Sequence, residues 1–146
     1  MPPECEIGPG LHIDHFGGVV VNPRVRMGSN CNIGHGVTIG SGGRSTLNGK
    51  SLEGVPYIGD RVHIAPGACV FGPITIGDDV AVGANAVVNK SLPDRSVAVG
   101  VPARVINFKG SFHYVNYLGM EMDLARETSL QLLGDLENID METFTP

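Results

Sequence analysis

Residues 58–88 read IGDRVHIAPGACVFGPITIGDDVAVGANAVV. Every sixth position is aliphatic: Ile58, Ile64, Val70, Ile76, Val82 and Val88. Six is a multiple of two and not of 3.6, so the pattern fits strands and not an amphipathic helix. Outward from this stretch the same phase runs through Ile7, Ile13, Val21, Met27, Ile33 and Ile39. The spacing departs from six twice: eight residues separate Ile13 from Val21, and nineteen separate Ile39 from Ile58. A small or apolar side chain stands four places after each aliphatic, as at Val25, Val62, Ala68 and Ala86. In 7 of the 12 hexads the residue right after the aliphatic is glycine. A β-sandwich is the alternative, but its turns do not recur every six residues.

Such a unit is a short strand followed by a sharp corner, and hexapeptide repeats are a β-helix signature. Three units close one coil. The spacing predicts coils over 7–26, 27–44, 58–75 and 76–93, with a partial coil to about 106. The aliphatic side chains point inward and stack from coil to coil, where β-branched residues pack well. The long spacing predicts a 13-residue insertion over about 45–57, leaving one corner of the prism.

Composition divides the chain near Ile106. Residues 1–106 hold 8 acidic and 8 basic side chains and 18 of the 21 glycines. Residues 107–146 hold 7 acidic and 2 basic side chains, which accounts for the whole net charge of −5. We therefore expect a β-helical body over 1–106 and an acidic C-terminal cap or tail over 107–146. In the latter, Phe112, Val115, Leu118 and Met122, then Leu130, Leu133 and Leu136, fall at helical spacing. One or two short helices over the open end of the solenoid would protect its strand edges.

The neutral body has no basic stripe, which argues against a nucleic-acid partner. No apolar run reaches the roughly 18 residues of a membrane span, and no signal peptide is visible at the N-terminus. Cys5, Cys31 and Cys69 are odd in number and lack paired spacing, which suits a reducing, cytoplasmic location.

Two segments carry a family resemblance. Residues 74–106, ITIGDDVAVGANAVVNKSLPDRSVAVGVPARVI, resemble the closing coils of hexapeptide-repeat acyltransferases, down to the GVPAR ending. Residues 13–40, IDHFGGVVVNPRVRMGSNCNIGHGVTIG, resemble the active-site coils of the serine acetyltransferase-like branch, where an Asp-His pair precedes a Gly-rich stretch and a Val-rich strand. The resemblance implies a left-handed parallel β-helix, a departure from the usual right-handed crossover. It also implies a homotrimer and acetyl-CoA as acyl donor.

Asp14 and His15 lie in the lengthened hexad, where two extra residues bulge the corner. An alcohol needs a base to attack a thioester, and imidazole titrates in the right range. By resemblance His15 is that base, and Asp14 orients the imidazole or holds the acceptor. His35 occupies the same place one coil on, about 4.8 Å away along the axis, so it should lie near His15 and either contact substrate or cap the corner. Ser41, Pro66, Ala84, Asn89, Lys90 and Arg104 match the superfamily's acetyl-CoA contacts, with Lys90 and Arg104 suited to phosphates. His12, His63 and His113 have no supporting pattern, and His63 reads as a surface strand residue. γ-Class carbonic anhydrases share the solenoid and bind zinc through histidines, but the matching His pair five residues apart is missing, so no metal is expected.

Serine acetyltransferases carry an Arg-His-Pro segment after the insertion, where this chain has Gly54, Val55 and Pro56. A long N-terminal helical domain of that family also has no counterpart in the sequence. These departures favour an O-acetyltransferase acting on a sugar or similar small polar hydroxyl compound. The alternatives are serine O-acetylation and a non-catalytic β-helix serving in assembly or regulation.

Overall fold

The computed structural model describes residues 1–43, 46–51 and 53–143. Of the expected insertion, Ser45 and Leu52 lie outside the described residues, as do residues 144–146 of the expected tail. The chain winds into a three-sided prism of parallel strands. The first face stacks Glu6–Ile7, Arg26–Met27, Tyr57–Ile58 and Thr75–Ile76. The second stacks His12–Asp14, Asn32–Gly34, His63–Ile64, Ala81–Val82 and Val97–Val99. The third stacks Val20–Val21, Thr38–Gly40, Cys69–Phe71 and Val87–Val88.

The register follows the six-residue phase. Met27 pairs with Ile58 and Ile58 with Ile76 on the first face. Ile13 pairs with Ile33, Ile33 with Ile64 and Ile64 with Val82 on the second. Val21 pairs with Ile39, Ile39 with Val70 and Val70 with Val88 on the third. All of these from the second coil upward are buried, and with the second small positions Val25, Val62, Ala68, Val80 and Ala86 they form one core. Burying each Ile or Val side chain contributes about 1.5–3 kcal/mol.

The glycine that follows each aliphatic has a steric cause at the first-to-second corner. There the Asp60 carboxylate accepts the Ser29 N–H at 2.8 Å, Asp78 accepts the Asp60 N–H at 2.7 Å and Asp94 accepts the Asp78 N–H at 2.8 Å. A Cβ on Gly28, Gly59 or Gly77 would fall on the carboxylate of the next coil. The missing side chain therefore makes room for a ladder that satisfies backbone donors.

Two elements differ from expectation. The insertion holds a small antiparallel hairpin, Thr46–Leu47 against Lys50–Ser51, turning through Asn48 and Gly49 at φ 52° and 76°. Asn-Gly is a strong local hairpin signal, because both positions accept left-handed backbone. The C-terminal segment is helical over Met120–Met122 (3₁₀) and Leu124–Thr143 (α1), but not over 108–119. Gly110 and Gly119 take left-handed backbone, at φ 71° and 82°, and interrupt any helix there. Phe112 and Val115 are buried from turns, while Leu118 and Met122 are exposed.

This segment also does not sit over the end of the solenoid. The second face ends instead in Arg104–Asn107, which folds back antiparallel on Val97–Val99. The chain then descends the first-to-second corner. Ser111 donates its N–H to the Asp79 carbonyl and its hydroxyl to the Arg61 carbonyl, and the Asn32 amide donates to the Tyr114 carbonyl at 3.2 Å. Arg61 and Asp79, both buried, form the ion pair beneath it. No helix among the described residues is long and apolar enough to cross a membrane.

Candidate active site

The second-to-third corner is where the lengthened hexad acts. In higher coils a single left-handed residue makes the turn: Gly36 at φ 68°, Gly67 at 74° and Asn85 at 56°. In the first coil His15, Gly17 and Gly18 are all left-handed, at φ 60°, 121° and 67°. Gly36 donates to the Gly17 carbonyl, and a Cβ on Gly18 would sit 3.3 Å from Gly36 Cα. The two extra residues therefore loop out on the His15 side, leaving His15 exposed and Phe16 at 98% exposure. A non-glycine residue in this region is uncommon and carries strain, though histidine tolerates it better than most.

His35 stands one coil on, with its ring centroid 5.9 Å from that of His15 and the planes at 72°. The structure thus brings the two imidazoles edge to face on one corner, open to solvent. Pro66 and Ala84 continue the same edge, and Pro66 packs over Gly34, where a Cβ would come within 2.6 Å of the proline nitrogen.

Asp14 does not reach the imidazole that follows it. His12 Nε2 donates to Asp14 Oδ1 at 2.7 Å instead. Strand alternation puts residues 12 and 14 on the same side of the second face, whereas His15 already belongs to the turn. Desolvation is the largest single influence and raises the Asp14 carboxyl, but hydrogen bonds from His12 and Asn32 and the nearby His12 and His63 together outweigh it and hold the carboxyl below its usual range.

His63 is half-buried rather than a plain surface residue. It stacks on Tyr114 with centroids 4.8 Å apart and planes at 16°. Burial pushes its pKa down, with the Asp14 charge pulling the other way. His12, Asn32 and His63 are register partners on successive coils, each one place before an inward isoleucine. Sequence reasoning passed over them, although the phase that aligned His15 with His35 aligns these as well. Tyr114 had no such signal, because a long-range packing decides where it lands. A cavity of about 370 Å³ lies above this face, lined by His63, Ala65, Gly83, Ala84, Val99 and Tyr114 among others.

The expected cofactor residues do not gather in one place on a single chain. Pro66 and Ala84 share the edge with His15. Ser41, Asn89 and Lys90 follow the third-face strands, at the opposite edge of that face. Arg104 is exposed on the returning strand of the second face. Among the described residues no group of three or more His, Cys, Asp or Glu is placed to hold a metal ion.

No protein-family model matches the chain. Serine acetyltransferase of Mycobacterium tuberculosis is 47% identical over 141 residues, covering 90% of this chain and 59% of that protein. The serine acetyltransferase of Brucella abortus solved with coenzyme A superposes with a TM-score of 0.67 at 37% identity, over 74% of this chain and 41% of that one. This chain belongs to the hexapeptide-repeat acyltransferase superfamily. A serine acetyltransferase solved in complex with cysteine gives a TM-score of 0.65 at 33% identity, over 73% of this chain and 39% of that one. Within the superfamily the likeness lies with the serine acetyltransferase branch, and the prism is its left-handed parallel β-helix. The chain spans about half the length of the relatives it matches.

Proposed function

We propose that this hexapeptide-repeat acyltransferase moves acetyl from acetyl-CoA to the hydroxyl of serine. One observation carries the reading. His15 projects from a two-residue bulge beside His35, in a chain 47% identical to a serine acetyltransferase. The comparisons favour serine over the sugar acceptor suggested by Gly54, Val55 and Pro56.

His15 takes the proton of the acceptor hydroxyl as its oxygen attacks the thioester carbonyl carbon. When the carbon–sulfur bond breaks, the imidazolium returns the proton to the leaving thiolate, so the products are O-acetylserine and the free thiol. Asp14, on the neighbouring strand, attracts the acceptor's ammonium and leaves His15 free to act. Ala65, Gly83 and Ala84, small residues lining the cavity on this face, leave room for the thin arm of the donor. Lys90 and Arg104 meet its phosphates. Pro66 and Ala84 lie one face away from Ser41, Asn89 and Lys90, so the donor groove closes between two copies in a cyclic homotrimer.

The test is thiol release from acetyl-CoA with serine, threonine and a sugar panel, beside the oligomeric state by light scattering. Transfer to serine by a trimer is the expected result. Transfer to a sugar alone would restore the other acceptor. No turnover and no acetyl-CoA binding would leave a non-catalytic module.

A further inference from the structure

Serine, the proposed acceptor, is a zwitterion, and the subsite inferred here rests on that acceptor. A site that selects such a molecule over a neutral alcohol needs an anion for its ammonium and a cation or N–H donor for its carboxylate. The second face offers a carboxylate and an imidazole N–H donor on one strand. His12 and Asp14 point to the same side, about 7 Å apart along the backbone, and their side chains meet at 2.7 Å. The pair is open to solvent, with the His12 side chain 64% exposed and that of Asp14 42% exposed. An exposed pair of this kind contributes little to stability, so it opens at small cost.

A second feature points to a ligand at the same spot. Asn32 lies between His12 and His63 in the register and is only 8% exposed. Its Nδ2 is anchored on the Tyr114 carbonyl, but its buried Oδ1 has no partner. A buried carbonyl oxygen left unpaired is costly and takes any donor offered to it. The basic side chains of the neighbouring strands and corner are already engaged, Arg61 with Asp79 and Arg26 with Glu6.

We propose that the His12–Asp14 pair is the closed form of a subsite for the amino-acid acceptor. His12 donates its ring N–H to the acceptor's carboxylate, and Asp14 with Asn32 Oδ1 takes its ammonium. The pair opens to admit a zwitterion and stays closed on a neutral alcohol. His12 is thereby the residue that reads the carboxylate, three positions before the proposed base.

Serinamide tests this, because it keeps the hydroxyl and ammonium of serine and lacks the carboxylate. The wild-type protein should favour serine over serinamide in kcat/KM by roughly tenfold or more. His12→Leu should raise the KM for serine by a similar factor and erase the preference, while His12→Lys should restore it. A serine-to-serinamide ratio that His12→Leu leaves in place overturns the assignment. Calorimetric binding of both compounds to the same variants separates this from a failure of the proposed reaction. If serine binds but is not acetylated, the reaction fails and the His12 assignment is still read from the binding ratio. If serine does not bind at all, the assignment falls too.

Discussion

Arg61 and Asp79 face each other across adjacent coils at the first-to-second corner, with Nε donating to Oδ1 at 2.7 Å and Nη2 to Oδ2 at 3.1 Å. Their side chains are 8% and 2% exposed. Desolvation works against the guanidinium charge, but the Asp79 carboxylate outweighs it and holds Arg61 protonated. Ser129 donates to Asp79 Oδ2 at 3.0 Å, so α1 is tied to the same pair. A buried pair whose partner is removed leaves an uncompensated charge. Arg61→Ala should therefore cost about 3–5 kcal/mol in urea denaturation and speed proteolysis after residue 110. Replacing both residues by apolar ones should cost much less, and equal losses for the single and double variants would contradict this account.

Tyr117 donates to Asp123 Oδ2 at 2.6 Å, beside Arg61. That hydrogen bond, against slight desolvation, holds the Asp123 carboxyl below its usual range. Desolvation and the Asp123 partner push the Tyr117 phenol up to about 12. A lowered carboxyl contributes stability above its unfolded value near pH 4 and loses it as pH falls through the folded value. A raised phenol contributes fully below its unfolded value near 10 and loses it as pH climbs toward 12. Tyr117→Phe should cost about 1 kcal/mol near neutrality. Denaturation curves of wild type and variant should converge at both pH extremes. A gap that persists above pH 12 would mean the hydroxyl is not the cause.

His15→Ala should lower turnover by about 10²–10⁴ while acetyl-CoA binding persists. Asparagine tolerates the left-handed backbone at φ 60° as histidine does, so His15→Asn should melt within a few degrees of wild type. Full activity in either variant would remove His15 from the chemistry.

Gly34 and Gly40 separate space from composition. A Cβ on Gly34 would come within 2.6 Å of the Pro66 nitrogen, whereas one on Gly40 would meet nothing within 4 Å. Gly34→Ala should cost about 1–3 kcal/mol and disturb the edge that carries His35. Gly40→Ala should be close to neutral. Thermal melts of the two variants give the comparison directly, and equal shifts would refute the crowding at Pro66.

The aliphatic phase was enough to assign the coils. A side chain that recurs every six residues, with a turn in each hexad, stacks inward when three short strands close each coil, and Ile33, Ile64 and Val82 stack as that phase requires. It also brought His35 beside His15, because one residue per hexad defines one edge of the prism. The C-terminal segment was less legible. Phe112 and Val115 are apolar at helical spacing, yet they are buried from turns held by Ser111.

What the sequence by itself determined is the solenoid and the bulged corner, since both follow from spacing along the chain. What only the tertiary structure decided is the company each side chain keeps. Asp14 turned to His12 and not to His15, because strand alternation sets its direction. His63 was drawn under Tyr114, and Asp79 under α1, by contacts between residues far apart in the chain. Local periodicity dictates which side of a strand a residue occupies. Which distant segment comes to rest on that side depends on the packing of the whole molecule.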